Sequence, residues 1–166
     1  MPPTAFERNT RLRDLVVDHA VQSDPLRTTQ LYDVFLQLIS QISSTRLELL
    51  ILRITLPTTQ LDDTNAGCTP LLEQPNADEV IVSPFHAALS RPHFDCLSGP
   101  AEGEGKHQPV HLKFCFFDGV SPPPEEASSL SSAIETFVEV LFEPWLRRGL
   151  VYLELPNGYE VNYWKE

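Results

Sequence analysis

The sequence predicts an α/β fold, a short and irregular solenoid. A parallel sheet of about four strands has helices beside it and ends in an antiparallel hairpin. One pattern recurs at residues 12–17, 47–52 and 150–155: a leucine, two residues, an aliphatic residue, one residue and a second aliphatic residue. Residues 110–116 form a further strand-like segment with strict alternation. Amphipathic helical sequence separates most of these segments, and strands and helices in series bury their apolar faces against their neighbours.

The first strand is predicted at about residues 12–18. Asp24 followed by Pro25 then indicates a helix start, because the aspartate can cap free N–H groups and proline suits the first helical position. The helix that follows carries an apolar stripe with a period of about 3.6 residues. Its members are Leu31, Val34, Phe35, Leu38, Ile39 and Ile42.

The second strand is predicted at about residues 46–56, and its near-continuous apolar run is typical of a parallel strand covered on both faces. Residues 57–77 are rich in polar residues and turn formers, which predicts an inserted loop. Ser83 followed by Pro84 repeats the helix-start signal, and this short helix should end before Pro92. Residues 80–82 just upstream suit either a strand or a first helical turn.

Residues 98–109 contain three glycines and two prolines and are predicted to be a second, mobile inserted loop. The third strand is predicted at about residues 110–117, with a long helix after it. Pro144 cannot lie in an unbroken helix interior, so a kink or restart is expected there, and Gly149 should end the turn in the left-handed region. The apolar stripe of the long helix is Leu130, Ile134, Phe137, Val138 and Leu141.

The last parallel strand is predicted at residues 150–155, and Asn157-Gly158 after it is a strong hairpin signal. Residues 159–163 should therefore return antiparallel and cover a sheet edge. The predicted core is Leu15, Val17, Leu31, Phe35, Leu38, Leu50, Leu52, Leu89, Phe114, Phe116, Phe137, Leu141, Trp145 and Leu153.

The repeat is irregular. Strand starts at Leu12, Leu47, Leu112 and Leu150 are separated by 35, 65 and 38 residues, whereas standard leucine-rich repeats have about 20–29. The longest spacing contains both loops, and the asparagine or cysteine that normally follows the repeat strand is missing. We therefore expect a single leucine-rich-repeat-like domain over residues 1–166, short and imperfect.

The charge of the chain bears on its partners. The net charge is −11 and the isoelectric point is about 4.8, which disfavours nucleic acid and anionic lipid surfaces. No apolar run approaches the roughly 20 residues that span a bilayer, and the N-terminus lacks the features of a signal peptide. An odd number of cysteines, three, predicts reduced thiols in the cytoplasm or nucleus.

Three stretches carry a family resemblance. Residues 47–54 form a strand after an amphipathic helix, residues 88–97 place a proline and a phenylalanine after a helix, and residues 142–155 combine a helix end, a glycine and a strand. Together they resemble the C-terminal leucine-rich-repeat-like region of fungal, basidiomycete-type F-box proteins. The resemblance implies the substrate-side part of a ubiquitin-ligase receptor, with a client protein as partner. The F-box itself has no counterpart before Leu12, so adaptor docking is carried over to no residue.

Two ligand-like spacings suggest a metal site. They are His93 with Cys96, and His107 with His111, with Cys68 in the other loop. Structural zinc is held by four such ligands, but the chain has no Cys-x-x-Cys pair. Scattered surface and core residues are the favoured interpretation, so no cofactor is expected.

The sequence gives little support for nucleophilic or acid–base catalysis. Cys96 or Cys68 would need a histidine to activate it, whereas Cys115 in an apolar strand is typical of a small core residue. Paired carboxylates fall in loops or near helix starts, where a helix dipole stabilises negative charge. No catalytic residue is expected.

The expected function is non-catalytic recognition of a protein partner, with neither nucleic acid nor membrane. The strand-edge and loop residues expected to bind it are Asp18, His19, Arg53, Asp118, Gly119 and Tyr159. Two alternatives remain open. One is a small enzyme or metal-binding protein, with a site formed by His93, Cys96, His107 and Asp118. The other is a truncated fragment without independent function.

Overall fold

The computed structural model describes residues 11–21, 28–56, 79–98, 108–116 and 124–163. Its strands are β1 (Asp14–Ala20), β2 (Leu49–Leu56), β3 (Val110–Phe116), β4 (Val151–Glu154) and β5 (Glu160–Asn162). They form one five-stranded sheet in the order β1-β2-β3-β4-β5. The first four strands are parallel, and β5 pairs antiparallel with β4. The predicted α/β class, parallel sheet and C-terminal hairpin are confirmed.

Helices connect the successive parallel strands. They are α1 (Thr28–Gln41), α2 (Glu79–Leu89), α3 (Pro124–Leu141) and α4 (Glu143–Leu146), with a 3-10 helix, Pro92–Cys96, after α2. The ring of Phe35 on α1 meets the edge of Phe114 on β3, with 6.1 Å between centroids. Phe35 also meets Phe142, at the junction of α3 and α4, at 5.3 Å. All of the helices thus contribute to one hydrophobic cluster with the sheet.

The apolar stripes predicted for α1 and α3 are the faces that these helices bury. On α1, Leu31, Phe35 and Ile39 are fully buried, because residues four apart lie on one side of a helix. All of the predicted α3 stripe is buried: Leu130, Ile134, Phe137, Val138 and Leu141.

The predicted break at Pro144 is confirmed. Phe142 leaves the helical conformation between α3 and α4, and α4 then begins with Pro144 in its first turn, where the missing N–H costs nothing. Trp145 is fully buried, and its Nε1 donates a hydrogen bond of 3.0 Å to the carbonyl oxygen of Leu89. Gly149 has a φ of 68°, as expected of a left-handed helix end.

The helix-start signal at Ser83 and Pro84 does not mark the start of α2, which spans Glu79–Leu89 and contains Pro84 in its interior. Pro84 is exposed whereas Phe85 and Leu89 are buried, so core packing maintains the helix despite the missing N–H of the proline. Of the two alternatives for residues 80–82, a strand or a first helical turn, the structure confirms the helical one.

The predicted strand bounds shift at several places: β1 extends to Ala20, β4 covers only Val151–Glu154, and β5 covers only Glu160–Asn162. The first strand begins at Asp14 rather than Leu12, because pairing starts where the N–H of Leu49 donates to the carbonyl oxygen of Arg13. The second begins at Leu49 rather than Arg46. Contrary to the sequence prediction, this second strand is buried on one face only, and Leu49 and Ile51 on the other face are half-buried.

Most of the predicted core is confirmed, but Val17, Leu38 and Phe116 are half-buried and lie at the margin of the hydrophobic cluster. Asp24, Pro25 and the loop at residues 57–77 lie outside the described residues. So does most of the loop at 98–109. Its last two residues are buried, and the Nε2 of Gln108 donates to the carbonyl oxygen of Tyr163 at 3.1 Å. None of the helices in the described ranges combines the length and apolar character needed to cross a bilayer.

Candidate functional site

The two faces of the sheet differ in what covers them. Successive residues of a strand stand on opposite faces, and the helices pack against the face that carries Leu50, Leu52 and Leu112, all fully buried. We call the opposite side the open face. Within the described ranges its side chains are exposed or half-buried, and none is buried. Its members are Asp14, Val16, Asp18, Ala20, Leu49, Ile51, Arg53, Thr55, His111, Lys113, Cys115, Tyr152, Glu154, Glu160 and Asn162.

Strand register aligns one row of largely apolar and aromatic side chains across the open face. This apolar row consists of Val16, Ile51, His111, Tyr152 and Asn162, each paired with the next. Val16 is 50% exposed, and the rings of His111 and Tyr152 lie 5.1 Å apart between centroids. At the usual strand spacing the row spans roughly 20 Å, a width that suits contact with another protein segment.

A second row, one step along the strands, is charged. The charged row consists of Asp18, Arg53, Lys113, Glu154 and Glu160, again each paired with the next. Arg53 binds Asp18 at 2.8 Å, and Lys113 binds Glu154 at 2.7 Å. The two central cations are therefore each paired with an acidic residue on the side away from the other cation, which limits their mutual repulsion.

Glu160 lies close to the apolar row through Tyr152. Burial, a hydrogen bond to Glu160 and the charges of Glu160 and Glu154 together raise the pKa of Tyr152 to about 12, and burial is the largest of these causes. The phenol therefore stays neutral over the physiological range and holds Glu160 against the sheet. The two rows thus meet as one polar and aromatic surface at the β4–β5 side.

A third, shorter row holds Ala20, Thr55 and Cys115 in register. The Oγ1 of Thr55 lies 3.7 Å from the Sγ of Cys115, a contact suited to a weak thiol hydrogen bond. Cys115 is thus a half-buried residue of the open face rather than the core residue that its apolar strand predicted.

Of the residues predicted to bind, the structure brings Asp18 and Arg53 together on the open face. His19 has the same strand parity as Leu15 and Val17 and therefore stands on the covered face, half-buried. Tyr159 lies in the β4–β5 turn and is 71% exposed.

Tyr159 is held in the turn by its backbone. Its N–H donates to the Oδ1 of Asn157 at 3.1 Å, and its carbonyl oxygen accepts a bond of 2.9 Å from Leu155. The remaining predicted binding residues, Asp118 and Gly119, lie outside the described residues.

The alternative catalytic or metal site is described only in part. The Sγ of Cys96 donates to the backbone carbonyl oxygen of His93 at 3.0 Å rather than engaging its ring. His107, Cys68 and Asp118 lie outside the described residues. Within the described part of the chain, no three His, Cys, Asp or Glu side chains are grouped to hold a metal ion.

His93 is instead packed into the helical layer. Its ring lies 4.2 Å from that of Phe94, and its buried Nε2 has no hydrogen-bond partner among the described residues. Burial lowers its pKa, the charge of Arg91 lowers it further, and a backbone hydrogen bond at Ile42 opposes both. A neutral, poorly accessible imidazole of this kind fits a packing role.

Sequence reasoning missed most of the open face. The strict alternation of β3 already places His111 and Lys113 on one face, which is a usable signal. No local signal predicts that Lys113 lies between Arg53 of β2 and Glu154 of β4 in the strand register, because these residues are far apart in the chain.

Comparisons with family models, with curated proteins and with solved structures found no match to this chain.

Proposed function

We propose that this protein is a non-catalytic recognition module that binds a protein partner on the open face of its sheet. The observation that carries the proposal is the register that aligns the apolar row and the charged row across all five strands. Aliphatic and aromatic side chains beside charged ones are typical of protein interaction surfaces.

The strand order supports recognition over catalysis. Open α/β enzymes bind ligands in the crevice where the strand order reverses. The described sheet has the sequential order β1-β2-β3-β4-β5 and so contains no reversal. Sequential parallel strands with their helices on one face are also the arrangement of a leucine-rich-repeat-like solenoid, which uses its sheet face for binding.

The charges support a protein partner over nucleic acid. Phosphate backbones are bound by clusters of free cations. Here Arg53 and Lys113, the cations of the open face among the described residues, each already bind a carboxylate. A surface with paired charges of both signs fixes the orientation of a protein partner.

A cytoplasmic or nuclear location completes the proposal. Cys96 and Cys115 are both free thiols among the described residues, which suits a reducing compartment. The narrower role of substrate receptor for a ubiquitin ligase rests on the three F-box-like stretches alone.

Selection of peptides against the immobilised protein tests the proposal. Ile51→Lys places a charge in the apolar row between Val16 and His111, and Gln37→Lys adds the same charge at an exposed position of α1. Selected peptides should bind the wild-type protein and Gln37→Lys with equal affinity. Their affinity for Ile51→Lys should be lower by about tenfold or more. Circular dichroism confirms that both variants fold. Peptides that bind Ile51→Lys as well as wild type would refute the open face as the binding site.

A further inference from the structure

β1 is an edge strand of the described sheet, and its ladder with β2 uses only alternate residues. At one end of β1, the N–H of Leu49 donates to the carbonyl oxygen of Arg13 at 3.0 Å. At the other end, the N–H of Val21 donates to the carbonyl oxygen of Thr55 at 2.9 Å. In a parallel ladder alternate residues of a strand bond the same neighbour. The odd-numbered residues of β1 therefore face β2, and the even-numbered ones direct their N–H and C=O groups to the outer edge.

Those outward-facing residues are Asp14, Val16, Asp18 and Ala20. No described element pairs with this edge, since β1 is the first strand of the sheet. A row of unpaired N–H and C=O groups is a template for an added strand. The same four residues carry their side chains on the open face, so an added strand would meet both backbone and side chains.

The side chains of this edge determine which residues an added strand should contain. Val16 is half exposed and stands between Asp14 and Asp18. The Asp18 side chain is 61% exposed although it binds Arg53 on its inner side. Directly opposite residues of neighbouring strands stand on the same face, with their side chains in contact. An added strand would therefore place an apolar side chain beside Val16 and cationic side chains beside both aspartates.

We propose that the outer edge of β1 binds an extended segment of a protein partner with the pattern basic, any, apolar, any, basic. The pattern reads the same in both directions, so it fits parallel and antiparallel addition. This inference rests on the proposed recognition function. It adds to the open face a neighbouring surface that binds the main chain of the partner as well as its side chains.

The charges disfavour this chain itself as the occupant. None of the sequence stretches outside the described ranges contains more than one lysine or arginine, so none supplies the two required cations. A second copy paired antiparallel about Val17 would place Asp18 beside Val16 and leave Asp14 without a cation. Each copy also carries a net charge of −11, which opposes association.

The test uses a synthetic peptide with Lys-Thr-Val-Thr-Lys at its centre, added at millimolar concentration to the full chain and followed by nuclear magnetic resonance. A peptide with Glu-Thr-Val-Thr-Glu is the charge-reversed control. The lysine peptide should shift the amide signals of Asp14, Val16 and Asp18 and slow their hydrogen exchange, and the glutamate peptide should not. Equal binding of both peptides overturns the proposal.

Two variants separate main-chain from side-chain recognition. Val16→Pro removes an outward N–H, which an edge strand tolerates, and should weaken peptide binding about tenfold, whereas Val16→Thr keeps the N–H and most of the affinity. Asp14→Lys, at an exposed position, should weaken binding about threefold without touching the β1–β2 ladder. Unchanged binding to Asp14→Lys and to a folded Val16→Pro overturns the proposal.

Sedimentation of the protein without peptide tests the rival occupant. A monomer is expected, and a dimer that Val16→Pro dissociates would assign the edge to a second copy and overturn the proposal. If the lysine peptide fails while selected peptides still depend on Ile51, the edge inference falls and the proposed function stands. If the selected peptides are insensitive to Ile51→Lys while the lysine peptide protects β1, only the open-face assignment falls.

Discussion

The covered face and the open face are built from alternate residues of the same strands, yet they differ in what their side chains contact. On β2, Leu52 is fully buried under the helices, whereas its neighbour Ile51 is half-buried on the open face. On β3, Phe114 packs against Phe35, whereas Lys113 binds Glu154 at the surface. The covered face holds the hydrophobic core together, whereas the side chains of the open face remain exposed or half-buried.

The largest expected difference between the faces comes from removing the same amount of aliphatic side chain on each. Leu52→Ala should lower the free energy of unfolding by about 2–5 kcal/mol, because it leaves a cavity in a packed core. Ile51→Ala should lower it by roughly 1 kcal/mol, because its side chain is only partly removed from water. Urea denaturation measures both. Equal losses would mean that the open face is covered by another part of the chain.

A smaller contrast is expected between two arginines. Arg148 donates hydrogen bonds to the carbonyl oxygens of Leu97 at 2.7 Å and Phe94 at 3.3 Å, and both of these residues are buried. Arg148→Met leaves the carbonyls without these donors and should cost about 1–3 kcal/mol.

Arg53→Met is the matched change on the open face. It removes a solvent-exposed ion pair with Asp18 and should cost about 0–1 kcal/mol. Thermal melts of the two variants compare them directly. A larger loss for Arg53→Met than for Arg148→Met would assign the charged row a structural role instead of a recognition role.

The smallest contrast is in pH dependence. The pKa of His93 in the folded chain is lowered by burial and then by Arg91, so the unfolded chain binds a proton there more readily. The contribution of His93 to the free energy of unfolding is complete above the ordinary histidine pKa of about 6.5. It declines as the pH falls below that value toward the lowered pKa of the folded state.

Denaturation at about pH 8 and about pH 5.5 measures this decline. His93→Leu should lose less stability than wild type over that interval. His111→Leu, on the open face, retains His93 and is expected to retain its share of the decline. A decline of the same size in wild type and in His93→Leu would show that His93 is not its source.

Much of the fold was predictable because local patterns carry it. The apolar stripes of α1 and α3, the restart at Pro144, the left-handed Gly149 and the Asn157-Gly158 turn each depend on residues within a few positions of one another. The start of α2 was not predictable in this way. Its local helix-start signal at Ser83 and Pro84 lies inside the helix, so a capping pattern of two residues did not identify the helix end.

The candidate site was predictable only in fragments. Asp18 and Arg53 were expected among the strand-edge and loop residues that bind, but their contact across 35 residues of chain follows from the pairing of β1 with β2. His19 was expected to bind beside Asp18, and strand alternation turns it to the covered face instead. The apolar run of β2 suggested burial on both faces, because hydropathy alone does not reveal which neighbours are available to cover a strand.

The sequence by itself determined the kind and order of the elements and most of the buried residues. The physical reason is that helical period, strand alternation and turn chemistry are set by interactions between near neighbours in the chain. Tertiary structure decided the register of the strands, the face that stays open and the rows of side chains on it. Those features depend on hydrogen bonds and packing between segments tens of residues apart. These contacts form, and contribute their free energies, only when the whole sheet and its helices assemble.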